Sequence, residues 1–169
     1  TMREHFKWFA NYAVESYQHY NGYRHPFNVL DVGCNDGSQL EAFYNVKIDP
    51  WGIDPAENLY VTSSGKFPNR IFKDYFNMKW VLKENPGVFD IITAQNVFAH
   101  NQDPVDFLQT ARNVMTDDTL LLVQTSQSDM ILNGEFDTIY HEHISFYNIN
   151  SMNELCKRMS LYLLDVTKC

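Results

Sequence analysis

Tyr140-His141-Glu142-His143 puts a phenol, two imidazoles and a carboxylate into four consecutive residues. A further imidazole, His100, closes the stretch Asn96-Val97-Phe98-Ala99-His100. These groups suit proton chemistry. Histidine titrates near neutral pH and can take a proton from a weak carbon acid. A phenol or second imidazole can donate a hydrogen bond to the oxyanion that results. Glu142 can orient an imidazole or bind an amino or hydroxyl group of a ligand. His141 and His143, two apart, share a face of an extended chain, which would place two metal ligands near His100. No fourth ligand accompanies them and the chain has no CxxC pair, so no metal is expected. His141 reads as a packing residue.

A different chemistry is written in Val29-Leu30-Asp31-Val32-Gly33-Cys34-Asn35-Asp36-Gly37-Ser38. Apolar Val29, Leu30 and Val32 suit an interior parallel strand. Gly33 and Gly37 permit backbone angles and close ligand approach that a side chain would block. A strand, a tight turn and a helix start together present free backbone N–H groups to a polar or anionic ligand group. The glycines stand four apart, without the G-x-G-x-x-G spacing of a dinucleotide fold.

These residues need elements to hold them. Phe6, Phe9, Ala13, Tyr17 and Tyr20 recur at spacings of three and four, which predicts a helix over the first twenty residues. Asn21-Gly22 ends it and Pro26 keeps it from restarting. Beyond it, strands are predicted at 28–32, 51–54, 70–73, 89–94, 119–125 and 161–167. Helices are predicted between them at 38–44, 57–63, 78–83, 104–115 and 151–159. This alternation implies an α/β fold, a mostly parallel twisted sheet with helices on both faces. In such sheets ligands bind beyond the C-terminal strand ends, near the topological switch point. A single domain over 1–169 is expected, with 1–27 as a helix and lead-in. The chain stops just after the sixth predicted strand, so the last edge strand of the fold is expected to be missing. An edge left unpaired that way would be satisfied by a homodimer.

Acids follow the first strands at regular places. Asp54, in Trp51-Gly52-Ile53-Asp54-Pro55, stands where it can accept from both hydroxyls of a ribose, or cap the next helix. Asp74 can accept from an adenine amino group, or serve as a cap. Gln95 and Asn96 place two amides at the fourth strand end. Acids after strands one to three, with GCNDG, resemble the S-adenosylmethionine pattern of class I methyltransferases. On that reading the cofactor carboxylate meets loop N–H groups and Asp31 suits its ammonium.

LDVGCNDGSQL, WGIDPAENL, NVFAHNQDPVDFL and FDTIYHEHISFYN together resemble the C-methyltransferases of nucleotide-linked keto-deoxysugars, across most of residues 28–167. The resemblance implies a Rossmann-like methyltransferase fold and S-adenosyl-L-methionine as cofactor. It implies His143 as the base that removes the proton beside the sugar ketone, with Tyr140, Glu142 and His100 lining that pocket. It also implies cofactor contacts at Asp31, Gly33, Cys34, Asn35, Gly37, Asp54, Pro55, Asp74, Gln95 and Asn96. Members of this family resemble a three-part protein with a cysteine-rich zinc-binding segment before this region and a sugar-binding region after it. Neither part is in this chain, and Gln124 stands where an acid is common.

Composition agrees with these readings. A net charge of −8 argues against a nucleic-acid surface. No apolar run reaches membrane-spanning length and the start lacks a signal-peptide pattern. Three unpatterned cysteines fit a reducing cytoplasm. The expected partner is a small nucleotide-sugar molecule.

Overall fold

The computed structural model describes residues 1–125, 128, 134 and 143–167. Five parallel strands, β1 (Asn28–Val32), β2 (Asp49–Ile53), β3 (Ile71–Phe72), β4 (Phe89–Gln95) and β5 (Met115–Gln124), form one sheet in the order β3-β2-β1-β4-β5. The helices are α1 (Met2–Tyr20), α2 (Ser38–Asn45), α3 (Glu57–Lys66), α4 (Met78–Glu84), α5 (Pro104–Asn113) and α6 (Ile149–Arg158). A 3₁₀ turn, Phe98–His100, follows β4. The expected α/β architecture is present.

Alternation along the strands divides the core in two. Leu30 and Val32 of β1 and Ile92 and Ala94 of β4 pack with Trp80 of α4 and Phe107, Leu108 and Ala111 of α5. Val29, Ile91 and Leu120 pack on the other face with Phe9, Ala10, Ala13 and Tyr17 of α1 and Phe43 of α2. The period of two in each strand is what sends neighbouring residues to opposite cores. Asp31 and Thr93 are register partners in β1 and β4, so they sit side by side on the α1 and α2 face.

After β1 the chain moves to β2 on one side, and β4 lies on the other. The switch point therefore falls between β1 and β4, where the glycine loop and the Asn96–His100 stretch leave the sheet. No helix among the described residues is long and apolar enough to cross a membrane.

Several boundaries differ from expectation: β2 starts at Asp49, α3 runs on to Lys66 and β5 starts at Met115. Helix α5 ends at Asn113, because Val114 C=O accepts from Phe89 N–H at 3.0 Å and the chain joins the sheet from Met115. Helix α6 starts at Ile149, two residues early, because Asn148 and Ser151 form a capping box. The predicted strand at 161–167 is not one. Leu161 N–H donates to Cys156 C=O at 2.9 Å, and the segment runs to α1, where the Tyr12 and Thr167 hydroxyl oxygens lie 3.1 Å apart. A cavity of about 540 Å³ opens along β5, lined by Trp8, Tyr12, Leu122, Met152 and Leu163 among others. Among the described residues, the 161–167 segment pairs with no strand, and β5 remains the end of the sheet.

Candidate active site

Gly33 leaves β1 with φ +74°, the left-handed region that glycine alone enters freely. A Cβ there would lie 2.5 Å from Val97 Cγ2, so the loop after β1 and the loop after β4 touch through this glycine. The N–H groups of Gly33 and Cys34 both donate to Ile53 C=O, at 2.8 and 3.3 Å, which ties the loop to β2. Gly37, at φ +79°, caps α2, and its N–H donates to Cys34 C=O at 2.9 Å. Asp36 then accepts from Ser38 N–H at 3.0 Å and from the Ser38 hydroxyl at 2.9 Å. Lys66 at the end of α3 stands 2.9 Å from Glu41 and 3.7 Å from Asp36.

Asp54 joins the ends of β1 and β2. Its Oδ2 accepts from Asn35 N–H at 3.0 Å and its Oδ1 from Ala56 N–H at 2.8 Å. Both oxygens thus hold backbone, with one lone pair on each left for a ligand hydroxyl. Asn35 itself sits at φ +53°, a conformation its short polar side chain tolerates. Pro55 stands between Asp54 and Ala56 in the chain, inside the turn that the Ala56 hydrogen bond closes.

Asp31 is buried, and the Thr93 hydroxyl donates to its Oδ1 at 2.6 Å. Burial pushes its carboxyl up to about 7, the Thr93 hydrogen bond opposes the rise, and the Asp54 charge adds to it. Cys34 is buried as well, and burial raises its thiol far above the ordinary range. Its Sγ faces β2, where a Cβ on Gly52 would come within 2.5 Å. The thiol is therefore packed against β2, and the Cys34 N–H and C=O are both hydrogen-bonded within the loop and to β2.

The remaining cofactor candidates divide. Asn96, at φ +55°, is exposed beside the switch point, and its N–H donates to Gln124 C=O at 2.9 Å. Gln95 points to the α1 side. Its Nε2 donates to Gln39 Oε1 at 2.9 Å, and His5 Nε2 lies 3.3 Å from its Oε1. Asp74 accepts from Tyr75 N–H at 2.8 Å and pairs with Lys83 at 3.1 Å. Partial burial would raise its carboxyl, but Lys83 and the Tyr75 amide outweigh that and hold it below its usual value. These are the contacts of a turn residue.

His100 and His143 meet although 43 residues separate them. Their ring centroids lie 4.8 Å apart at 55°. Ile144 and Ser145 N–H both donate to Ala99 C=O, at 2.9 and 3.2 Å, which seats the 143–147 segment on the 3₁₀ turn after β4. Phe146 meets His143 edge-on at 5.9 Å, and Tyr147 packs on Phe98 at 5.0 Å. Tyr140 and Glu142 lie outside the described residues, as does His141. Sequence reasoning missed His5 and Gln39, whose signal is visible only in three dimensions, as the partners of Gln95.

This strand order, with a glycine loop after β1 and an acid after β2, fits the class I fold of S-adenosylmethionine-dependent methyltransferases. Residues 8–166 match the family described as "Methyltransferase domain", and the chain belongs to that family. It is similar to C-methyltransferase NovU of Streptomyces niveus, 26% identical over 140 residues that cover 82% of this chain and 33% of that protein. It is also similar to the ubiquinone biosynthesis O-methyltransferase of Colwellia psychrerythraea, 27% identical over 115 residues, 66% of this chain and 46% of that one. The chain thus spans between a third and a half of the length of these relatives. In fold it is similar to the plantazolicin methyltransferase BpumL, solved in complex with SAH, with TM-score 0.72 and 18% identity, over 89% of this chain and 62% of that one.

Proposed function

We propose that the chain binds S-adenosylmethionine at the β1/β4 switch point, and that the whole protein methylates a carbon of a nucleotide-linked keto-deoxysugar. The close approach of the two loops at Gly33, where a Cβ would meet Val97, and the buried Asp31 carboxylate support such a cofactor site. Asp31 is assigned to its methionine part, and Asp54, beside Pro55, to its ribose; the N–H groups from Gly33 to Ser38 already donate within the protein. When bound, the cofactor supplies an electrophilic sulfonium methyl, so the chain's residues mainly need to align and activate the acceptor.

The observation that carries the acceptor side is the His100–His143 pair at the end of β4, beside the glycine loop. His143 takes the proton from the carbon next to the ketone, and His100 or Tyr140 donates to the enolate oxygen. Glu142 holds an imidazole or an acceptor hydroxyl. The similarity to a C-methyltransferase and the FDTIYHEH stretch support carbon as the methylated atom. Cys34 and Cys156 are buried free thiols, which supports a cytoplasmic setting.

A second reading is methyl transfer to oxygen of a small molecule, favoured by the similarity to an O-methyltransferase. It needs a base but no enolate support. Calorimetry with S-adenosylhomocysteine tests the cofactor, and a folded sample that does not bind it overturns the assignment. Exchange of the ketosugar α-proton with solvent by the whole protein tests the rest. Exchange should vanish in His143→Ala, and exchange that persists unchanged sinks the carbon mechanism.

A further inference from the structure

Gln39, Gln95, His5 and Phe6 form one hydrogen-bonded chain whose direction the side-chain chemistry fixes. Gln39 Nε2 lies 3.2 Å from Phe6 C=O, which can only accept, so Gln39 donates there and turns its Oε1 to Gln95. Gln95 Nε2 must then donate to that oxygen, at 2.9 Å. Its own Oε1 faces His5 Nε2 at 3.3 Å, so that nitrogen carries the hydrogen. Each amide is oriented by the next. The chain starts and ends on adjacent residues of α1 and passes through the last residue of β4 and the second residue of α2 on the way.

Both intermediate stations adjoin the site. Gln39, only 4% exposed, follows Gly37 and Ser38 in the first turn of α2. Gln95 precedes Asn96 and Val97, and Val97 is the residue that Gly33 touches. The two sides of the switch point are thus joined twice, at Gly33–Val97 in the loops and at Gln39–Gln95 on the α1 face. Small displacements of either side change the width of the crevice, and a polar network with every member satisfied resists them.

We propose that His5 and Gln39 are positioning residues for the cofactor, acting through Gln95 to hold the α2 start and the β4 end at the spacing that binding needs. This rests on the reading of the switch point as the S-adenosylmethionine site. Neither side chain is assigned a direct contact with the cofactor. Their contribution is to the geometry of the residues that have one.

The test is calorimetric titration of the chain with S-adenosylhomocysteine, together with urea midpoints. His5→Phe keeps a ring against Trp8 and Phe9, whose centroids lie 5.6 and 6.3 Å from that of His5, and removes only the donor. It should weaken binding roughly five- to tenfold, the worth of one lost hydrogen bond. His5→Gln, which restores an N–H donor, should recover most of the affinity. Gln39→Leu breaks both links and should weaken binding further. If it does not fold, the His5 pair decides alone. A His5→Phe protein that binds like wild type, or a loss that His5→Gln does not repair, overturns the positioning role while the cofactor reading stands. A wild-type chain that binds no S-adenosylhomocysteine overturns both.

Discussion

Asp54 Oδ2 accepts the Asn35 N–H at 3.0 Å, so an acid at the end of β2 fixes the glycine loop at the end of β1. Its other oxygen fixes the start of the next loop at Ala56. Asp54→Asn keeps the size of the side chain but turns an amide NH₂ toward one of these two N–H donors. The unfolding free energy should fall by about 1.5–3 kcal/mol, the range for hydrogen bonds to a charged group. S-adenosylhomocysteine affinity should fall with it, by tenfold or more. Urea titration and calorimetry read the two effects, and an Asp54→Asn chain that keeps both stability and affinity removes Asp54 from the site.

Gly33→Ala meets two penalties that can be separated. The methyl group would sit 2.5 Å from Val97 Cγ2, and φ +74° strains any residue with a Cβ. Adding Val97→Ala removes the contact and leaves the backbone strain, about 1 kcal/mol. The double variant should therefore recover part of the stability lost in Gly33→Ala, with a remainder of that order. Full recovery would mean that the φ of Gly33 imposes no cost.

The Gly52–Cys34 contact allows a stricter test. A Cβ on Gly52 of β2 would meet Cys34 Sγ at 2.5 Å and Cys34 Cβ at 2.8 Å. Gly52→Ala should cost roughly 1–3 kcal/mol or more through overpacking. Cys34→Ala relieves only the sulfur contact and should restore a part. Cys34→Gly relieves both, so its effect on the Gly52→Ala background should be the larger of the two, apart from the cost of the added glycine.

The strands and their order of appearance were legible because local pattern decides them. Val29, Leu30 and Val32 are apolar on both faces, and Gly33 ends the strand where the backbone must turn. The placement of Asp31, Gly33, Asn35 and Asp54 near the strand ends was legible for the same reason, since it follows from the strand. The side-chain directions of Gln95, Cys34 and Asp74 were not, because they depend on what lies across the sheet or along the chain. Gln95 turns to Gln39 and His5, Cys34 turns to Gly52, and Asp74 finds Lys83 nine residues on. The 161–167 segment misleads in the opposite sense. Its run of Leu161, Tyr162, Leu163, Leu164 and Val166 reads as a strand, but strand formation needs pairing with an edge, which composition alone cannot supply.

Asp31 couples the site to pH, and the sign can be worked out. Burial lifts its carboxyl to about 7, against about 4 in an unfolded chain, so between those values the native state holds a proton the unfolded state has lost. Stability from Asp31 is fully present below pH 4 and is lost as pH rises through 7, by about 1.4 kcal/mol per unit at the steepest. Asp31→Asn keeps an oxygen for the Thr93 hydroxyl and does not titrate, so its stability relative to wild type should climb across this window. A ligand ammonium beside Asp31 favours the ionised form, so binding S-adenosylhomocysteine at pH 6.5 should release a proton. The heat of binding should then vary with the ionisation enthalpy of the buffer, and affinity should rise from pH 5 to 7. Both dependences should disappear in Asp31→Asn. Equal buffer dependence in wild type and variant would show that the ammonium is held elsewhere.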